Sequence, residues 1–552
     1  MRLAGSLVIV VTLLLTPTPG LRAQDAGDLA TRLAALGRVW GLAKYFHPDV
    51  TGGRVNWDAA LLTAIPRVSA ARGMGSLNEE LLRLLRAAGP EPRMPAGVSA
   101  DQPETDPLFA WIDDSNLFES STIHALKAIR RATVPLNSRY AKGTTGTGHP
   151  DFSGEAAWTG SQLPNENERL LALFRFWNMV QYFFPYRDVT DRPWSQVLTE
   201  SIPQFLAASD ATAYHLAASE LVAKIDDSHG ATASNTLHSY WGVNHPPIRT
   251  RFIESQTVVT RVYPNYLGGA DVRVGDVITD IGGTPIAELR SRAVRYLAAS
   301  NAVARQRLVD SVVLRTNAGA VTLGMTRSGV PLSVTLPTYV LGVMATEETR
   351  LLNQEAKWHT LSGNIGYANL SLVTNAEVAS MMTELRNTRA IVFDLRYYPN
   401  FVLYDVAQRL NPAARDFTLI TGPDFSRPGS FQRVAMLQAG PASPRQDYYR
   451  GRVLILIDER TQSRAEFTVM ALRTAPDVLV VGSQTSGADG NVSQIDLPGG
   501  IRTFYSGLGI FYPDGTPTQR IGIVPDVVVT PTINGIQNGV DEVLQRALAL
   551  VQ

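Results

Sequence analysis

The chain contains no cysteine among its 552 residues. Disulfide bonds, thiol nucleophiles and zinc sites built on thiolates are therefore excluded. The chain also lacks net charge, because 50 lysine and arginine residues balance 50 aspartate and glutamate residues. A neutral protein has no general attraction to polyanions, so we expect no nucleic-acid partner.

Long apolar runs are absent after the amino terminus. Residues 1–23 have one early charge, Arg2, then an apolar run at residues 7–15 and then small residues. This order is typical of a secretory signal peptide that is cleaved after Ala23. The run is too short to span a bilayer, and no later segment is a transmembrane candidate. We therefore expect a periplasmic or secreted bacterial protein without an integral membrane segment after cleavage.

The segment 451–482 predicts a strand–turn–helix–strand unit of a largely parallel sheet. Residues 453–457 form a short apolar run, and apolar residues with helical spacing follow Ser463. Ligand sites of parallel sheets lie beyond the carboxyl ends of the strands, so Ser463 is a candidate nucleophile. The Arg464 N–H at the helix start is the matching candidate oxyanion donor. The alternative is a capping box, with Ser463 at the N-cap and Glu466 three residues later.

Two segments of the first half align without a gap at an offset of 137 residues. The matches include Trp40 with Trp177, Trp57 with Trp194, and Ile65-Pro66 with Ile202-Pro203. They predict a duplicated helical hairpin, at residues 24–94 and 161–244, whose aromatic side chains serve packing. His47 has no counterpart in the second copy, and we expect it to be structural or exposed. Residues 95–160 are rich in Pro, Gly, Ser and Thr, which predicts an irregular linker with one helical piece near residues 122–132.

Residues 245–340 change to short β-type runs around the motif DVRVGDVITDIGGTPI at residues 271–286. This motif resembles the PDZ domains of exported proteases. PDZ domains bind an extended peptide end by adding it to a sheet edge, so the resemblance implies a peptide partner. The alternative is a degenerate domain that acts only as a spacer.

Four motifs of the second half occur in an order that one enzyme family shows. They are residues 363–370, residues 390–396, the Ser463 unit and residues 522–526. Over roughly residues 165–552 the chain resembles the serine peptidases of the carboxy-terminal processing and tricorn type. The resemblance implies an α/β multi-domain protein: a helical amino-terminal region, a PDZ-like β domain and a crotonase-like α/β core at residues 341–552. It also implies hydrolysis of a peptide or protein substrate by Ser463, without a metal or another cofactor.

The general base distinguishes two branches of that family. The processing branch uses a lysine about 25 residues after the serine, where this chain has Ala488, and no lysine follows Lys357. The tricorn-like branch uses a histidine from a Ser-His pair before the PDZ domain, and Ser228-His229 matches that pair. The resemblance therefore implies His229 as the base, with an imidazole that titrates in the useful range. It assigns the orientation of the ring to Ser228 and to a late glutamate, for which Gln519 is the nearest residue here.

The oxyanion hole departs from the family pattern. The family places Gly-Gly in the turn after its Asp-Leu-Arg strand, and this chain has Pro399-Asn400-Phe401 there. Asparagine tolerates left-handed backbone angles, so the Asn400 N–H is the second expected donor, and Phe401 is expected to narrow the site. Two other functions stay open: a catalytically impaired peptide-binding scaffold, and a carrier of apolar ligands on the same core. The sequence does not determine the oligomeric state.

Overall fold

The computed structural model describes residues 20–95, 97–100, 102–135 and 138–551. It confirms the predicted fold class, since helices and sheets alternate in a chain of several domains. Most of the predicted signal peptide, residues 1–19, lies outside the described residues. Among the helices in the described part, none is long and apolar enough to cross a membrane.

Residues 20–241 are mainly helical and share one large apolar core. The helices are α1 (Gly20–Phe46), α2 (Pro48–Thr51), α3 (Trp57–Ala70), α4 (Gly73–Ala88), α5 (Ser120–Arg130), α6 (Glu166–Phe183), α7 (Trp194–Ala207), α8 (Ala211–Ala223) and α9 (Asn235–Trp241). Short 3₁₀ helices lie at Pro107–Asp113 and Arg187–Val189, and short strands are β1 (Lys142–Gly143), β2 (Pro150–Asp151) and β3 (Ala231–Ala233).

The duplicated tryptophans hold the two hairpins in the same way. Trp40 Nε1 donates to the Trp57 carbonyl at 3.1 Å, and Trp57 Nε1 donates back to the Trp40 carbonyl at 2.9 Å. Trp177 and Trp194 repeat this reciprocal pair at 2.9 and 3.1 Å. All four indoles are buried, and a buried indole N–H requires an acceptor. The repeated aromatic side chains therefore serve packing.

Residues 95–160 differ from the irregular linker that their composition predicts. The helical piece is present as α5, but Phe109, Phe118 and Phe152 are buried in the same core as the hairpins. Glu155 lies 2.8 Å from Lys44 Nζ of the first copy and 3.2 Å from Arg175 Nε of the second. The segment is therefore packed between the two copies, through long-range contacts that composition does not reveal.

Residues 244–340 form the β domain predicted to resemble a PDZ domain. Its strands are β4 (Asn244–His245), β5 (Ile248–Ile253), β6 (Gln256–Val262), β7 (Val277–Ile281), β8 (Thr284–Pro285), β9 (Ala320–Arg327), β10 (Val330–Pro337) and β11 (Tyr339–Val340). A 3₁₀ helix at Pro264–Tyr266 and two helices, α10 (Ile286–Val294) and α11 (Ala302–Val312), complete it. The main sheet is antiparallel in the order β10-β9-β7-β6-β5, with β8 beside β7, and β11 pairs with β4.

The remaining residues form the α/β core. Its helices are α12 (Leu341–Leu352), α13 (Val378–Glu384), α14 (Leu403–Leu410), α15 (Arg464–Leu472), α16 (Ile533–Gln537) and α17 (Glu542–Ala549), with a 3₁₀ helix at Asn375–Glu377. Its strands are β12 (Trp358–Leu361), β13 (Ile365–Asn369), β14 (Ala390–Asp394), β15 (Arg415–Pro423), β16 (Phe431–Ala439), β17 (Arg452–Ile457), β18 (Val478–Gly482), β19 (Val492–Leu497), β20 (Ile501–Ser506), β21 (Gly509–Phe511) and β22 (Val527–Val528).

The central sheet of the core has the order β12-β13-β14-β17-β18-β22 and is parallel except for β12. Ile455 and Ile457 of β17 lie in one apolar cluster, whereas Leu454 and Leu456 lie in another on the opposite face. Side chains of a strand alternate between the two faces of a sheet, so this strand is buried on both sides, as predicted.

A small antiparallel sheet joins the helical region to the core. Its order is β19-β20-β3, and β3 follows directly after the segment that contains His229. The register pairs Ala231 with Phe504 and Ala233 with Arg502. Because of this pairing, the segment before β3, which contains His229, lies beside Ser506, the last residue of β20.

Candidate active site

Ser463 lies in the turn between β17 and α15, at the carboxyl end of a central parallel strand. Its backbone angles, φ 58° and ψ −125°, are unfavourable for a residue with a side chain beyond glycine. Such a conformation costs on the order of 1–3 kcal/mol and requires support from its surroundings. The Ser463 N–H donates to the Ala488 carbonyl at 2.9 Å and to Glu466 Oε2 at 3.0 Å, which holds the strained residue in place.

Glu466 connects α15 to the loop after β18. Its buried carboxylate accepts the N–H groups of Gly487 at 2.8 Å and Ala488 at 3.1 Å, in addition to that of Ser463 and the Thr485 hydroxyl. Burial raises the pKa of Glu466 to about 7, against the effect of these donors. Its bond to the Ser463 N–H is the contribution that a glutamate makes to a capping box.

Ser463 lines a cleft of about 340 Å³. The walls are largely apolar, with side chains of Ile420, Phe467, Val492 and Ile510. Tyr398 and Phe401 also line the cleft and are 55% and 52% exposed. The two ionisable groups other than tyrosine among the lining residues are Arg464 and Asp489.

His229 lies in the turn between α8 and β3, and its ring is held by a serine and an aspartate. Nδ1 lies 2.9 Å from Ser506 Oγ, and that hydroxyl donates to Asp227 Oδ1 at 3.0 Å. Since the Ser506 hydrogen points to the carboxylate, its oxygen accepts a proton from Nδ1. The ring is therefore protonated at Nδ1, which leaves Nε2 as the proton acceptor.

Asp227 is fully buried and receives several donors. It accepts the Ser506 N–H at 2.6 Å, the His229 N–H at 3.0 Å and Gln519 Nε2 at 3.2 Å. Burial lowers the pKa of His229, while the Asp227 charge opposes this and Arg307 adds to it. The imidazole is therefore neutral at neutral pH, the form that a general base requires.

The structure brings the two predicted catalytic segments together. Gln462 Nε2 donates to the Ser228 carbonyl at 3.1 Å, although these residues are 234 positions apart. Among the described residues, however, no hydrogen bond joins the Ser463 hydroxyl to the His229 ring directly. The nucleophile and base candidates thus lie on adjacent segments without direct pairing.

Two residues predicted to orient the histidine ring bind elsewhere. Ser228 Oγ donates to the Ser486 carbonyl at 3.0 Å and accepts the Ser300 N–H at 2.9 Å. Gln519 Nε2 donates to Asp227 and, at 3.4 Å, to Ser300 Oγ. Gln519 therefore acts on the carboxylate, and Ser506 is the residue on the ring.

Sequence reasoning missed both Asp227 and Ser506. Asp227 lies two positions before His229, so its proximity was a usable signal, since an aspartate readily accepts the N–H two residues later. Ser506 is 277 positions away from His229 and follows no motif. Only the pairing of β3 with β20 brings it to the ring.

The two predicted oxyanion donors, the N–H groups of Arg464 and Asn400, differ in whether they are already hydrogen-bonded. The Arg464 N–H, at the first position of α15, has no acceptor in the described part of the chain. The Asn400 N–H instead donates to the Leu370 carbonyl at 3.1 Å, and its side chain donates to the carbonyls of Ser371 and Val373. The expectation that Asn400 offers a free N–H is therefore wrong, because Asn400 anchors its own turn to the loop after β13.

Comparison with known proteins identifies the core. Residues 363–529 match the model of Peptidase family S41. The structure of mature CPAF complexed with lactacystin has a similar fold, with a TM-score of 0.56 and 12% identity, over 70% of this chain and 98% of that chain. Another structure of mature CPAF gives a TM-score of 0.55 and 13% identity, over 70% of this chain and 97% of that chain. The chain matches no curated protein sequence. The matched domain, which contains Ser463, is of the peptidase family S41 type, and this match together with the similar fold supports a serine-type peptidase.

Proposed function

We propose that this peptidase cleaves peptide bonds with Ser463 as the nucleophile and His229 as the general base. The observation that carries the proposal is the hydrogen-bond chain from Asp227 through Ser506 to His229 Nδ1. This chain fixes the tautomer in which Nε2 accepts a proton, on a segment adjacent to the nucleophile.

In the proposed reaction, Ser463 Oγ attacks the scissile carbonyl while His229 Nε2 takes the hydroxyl proton. The Arg464 N–H then stabilises the negative oxygen of the tetrahedral intermediate. The imidazolium returns its proton to the leaving amine, and a water molecule hydrolyses the acyl-enzyme by the same steps. The Phe401 N–H, which has no acceptor among the described residues and whose residue lines the cleft, is the proposed second donor in place of Asn400.

Asp227 supplies the negative charge that the family resemblance assigns to a late glutamate. A glutamine at position 519 cannot balance an imidazolium, but it donates to Asp227, which does carry a carboxylate. Asp227 and Ser506 are therefore positioning residues, because they act through His229. The base is stabilised from the turn before β3 rather than from the end of the core.

We further propose that the enzyme acts after export, in the periplasm or outside the cell. The support is the signal-like composition of residues 1–23. Sequencing the amino terminus of the protein recovered from a periplasmic fraction should show a start at Gln24. Recovery of the unprocessed chain in the cytoplasm alone would contradict export.

The mechanism is tested by covalent labelling. A fluorophosphonate probe should label the full-length protein on Ser463, and Ser463→Ala should lose both labelling and peptide hydrolysis. His229→Ala should label at least tenfold more slowly, because the hydroxyl loses its base. A Ser463→Ala protein that labels and cleaves like the parent contradicts the assignment. A folded parent protein that neither labels nor cleaves would favour the impaired scaffold, for which the occupied Asn400 N–H is the supporting observation.

A further inference from the structure

The guanidinium of Arg464, the residue next to Ser463, has no anionic partner among the described residues. Its guanidinium carbon lies 5.2 Å from the ring centre of Tyr398 and 5.8 Å from that of Phe401. Within the described residues the side chain makes no hydrogen bond and no ion pair. Nearby arginines differ, since Arg460 pairs with Asp458 at 2.7 Å and Arg396 pairs with Asp394 at 2.6 Å.

No carboxylate among the described residues that line the cleft pairs with this cation. Asp489, the other charged residue type in the wall, is 4% exposed, and its Oδ2 has no hydrogen-bond partner among the residues that the structure describes. Burial and the nearby Glu466 carboxylate raise the pKa of Asp489 well above its usual range. Asp489 is buried and forms no ion pair with Arg464 in the described part of the chain, so the guanidinium is the more accessible charged group of the cleft.

The contacts of Arg464 leave its guanidinium N–H donors without an acceptor among the described residues. Arg464 is the first residue of α15, where the helix dipole places partial positive charge. The dipole disfavours a cation there by about 0.3–1 kcal/mol, and the contacts with the two aromatic rings offset a cost of this size but use none of the guanidinium N–H donors. The arrangement is suited to an incoming anion, which would meet both the guanidinium and the helix terminus.

We propose that Arg464 makes the enzyme selective for peptides with a carboxylate close to the scissile bond, next to an apolar side chain that occupies the cleft. The inference rests on the proposed role of Ser463 as the nucleophile, because it defines where the scissile bond lies. The guanidinium binds the carboxylate through paired N–H donors, and the apolar wall accepts the neighbouring side chain. The carboxylate belongs either to an acidic side chain or to the carboxyl terminus of the substrate.

The test uses matched peptides with the full-length enzyme. One series carries Glu or Gln at each of the two positions on either side of the cleaved bond, and each peptide is made with a free or an amidated carboxyl terminus. The parent enzyme should prefer one charged form over its neutral partner by about tenfold in kcat/KM, the usual effect of a hydrogen bond to a charged group. A preference for Glu identifies a side chain, and a preference for the free acid identifies the terminus.

Variants assign the preference to Arg464. Arg464→Gln should bring the charged-to-neutral ratio close to one, Arg464→Lys should keep part of it, and Arg464→Glu should favour a lysine peptide. Arg433→Gln is the matched control, since Arg433 is an exposed arginine of β16 outside the cleft and should leave the ratio unchanged.

Covalent labelling of Ser463 distinguishes failure of the proposed mechanism from failure of the proposed selectivity of Arg464. If the parent enzyme does not label on Ser463, the proposed mechanism fails first. If it labels and cleaves but shows no preference for either carboxylate, or if Arg464→Gln and Arg464→Lys both keep the full preference, the inference about Arg464 is overturned. Circular dichroism of each variant confirms that the ratio is measured on folded protein.

Discussion

The two helical hairpins share their tryptophan pairs, yet one histidine from each, His47 and His229, is held in opposite ways. In the first copy, His47 Nδ1 accepts the Asp49 N–H at 3.3 Å, and its Nε2 faces the Pro90 carbonyl at 3.2 Å. In the second copy, His229 Nδ1 faces Ser506 Oγ, and Nε2 has no partner among the described residues. His47 therefore uses both nitrogens for structure, whereas His229 keeps a free proton acceptor.

The ends of the copies explain this difference. The chain after α4 turns at Gly89 and packs back onto His47 and Asp49. The chain after α8 instead continues into β3, which pairs with β20 of the core. The duplicated hairpins thus share a helical scaffold, and in the described residues only the copy with a partner strand in the core places a histidine on a segment adjacent to Ser463.

Replacing the two histidines should give the largest contrast. His229→Ala should lower kcat at least about 100-fold, because it removes the general base. His47→Ala should leave kcat unchanged but lower the melting temperature, since an unsatisfied buried donor or acceptor costs about 1–3 kcal/mol. Steady-state kinetics and thermal unfolding of both variants check this. Equal losses of kcat would contradict the distinction between the copies.

Asp227→Asn should have the next largest effect. An amide cannot balance the imidazolium and can donate to Ser506, which reverses the hydrogen bond to the ring, so we expect kcat to fall by up to about 100-fold, less than in His229→Ala. Ser506→Ala should give a smaller fall because Asp227 keeps its charge. Both changes should alter the pH profile of the residual activity, which a purely structural role would not do. A wild-type profile in folded Asp227→Asn protein would contradict the assignment.

The pH dependence separates the histidines in a different way. Because the pKa of His229 is lowered, kcat/KM should rise with pH through a single ionisation below about 6.5, the ordinary histidine value. The pKa of His47 is lowered by burial as well. Both rings resist protonation only in the folded state, so stability should fall as pH decreases below about 6.5. His47→Ala should weaken this loss of stability without moving the kinetic ionisation, and a shifted kinetic profile would contradict the prediction.

The smallest effect is expected for Asp489→Asn, which sharpens the contrast between two buried carboxyl groups. Burial and the Glu466 charge raise the pKa of Asp489 well above its usual range, which favours the neutral carboxyl, and an amide keeps that neutral form. We expect kcat/KM to change by less than about threefold, or about 0.7 kcal/mol. A fall as large as that of Asp227→Asn would show that Asp489 is ionised in the working enzyme.

The local structure around Ser463 could be predicted from the sequence. The strand before Ser463, the helix after it and the next parallel strand are present as predicted. They could be predicted because the spacing of apolar residues is a local feature of the sequence. The ordered motifs also predicted the peptidase family, and Ser463 and His229 lie on adjacent segments. Whether these two residues carry out catalysis stays a prediction.

Contacts between distant segments could be seen only in the tertiary structure. The β domain was expected to bind a peptide. In the structure its helix α11 and the residue before it also contact the loops around Ser463: Arg307 binds the Gln462 side chain, and Asn301 donates to the Thr485 carbonyl at 2.9 Å. Deleting residues 245–340 would therefore remove support for the nucleophile turn as well as any peptide site.

The sequence by itself determined the α/β class, the strand–turn–helix unit, the hairpin repeat and the absence of a lysine base, since each depends on composition or on neighbours along the chain. Tertiary structure alone decided that Ser506 contacts the His229 ring and links it to Asp227, and that the Leu370 carbonyl accepts the Asn400 N–H. The physical reason is that hydrogen-bond partners far apart in the sequence are chosen by strand pairing, loop packing and core packing. A residue's own neighbours in the sequence carry no record of that choice.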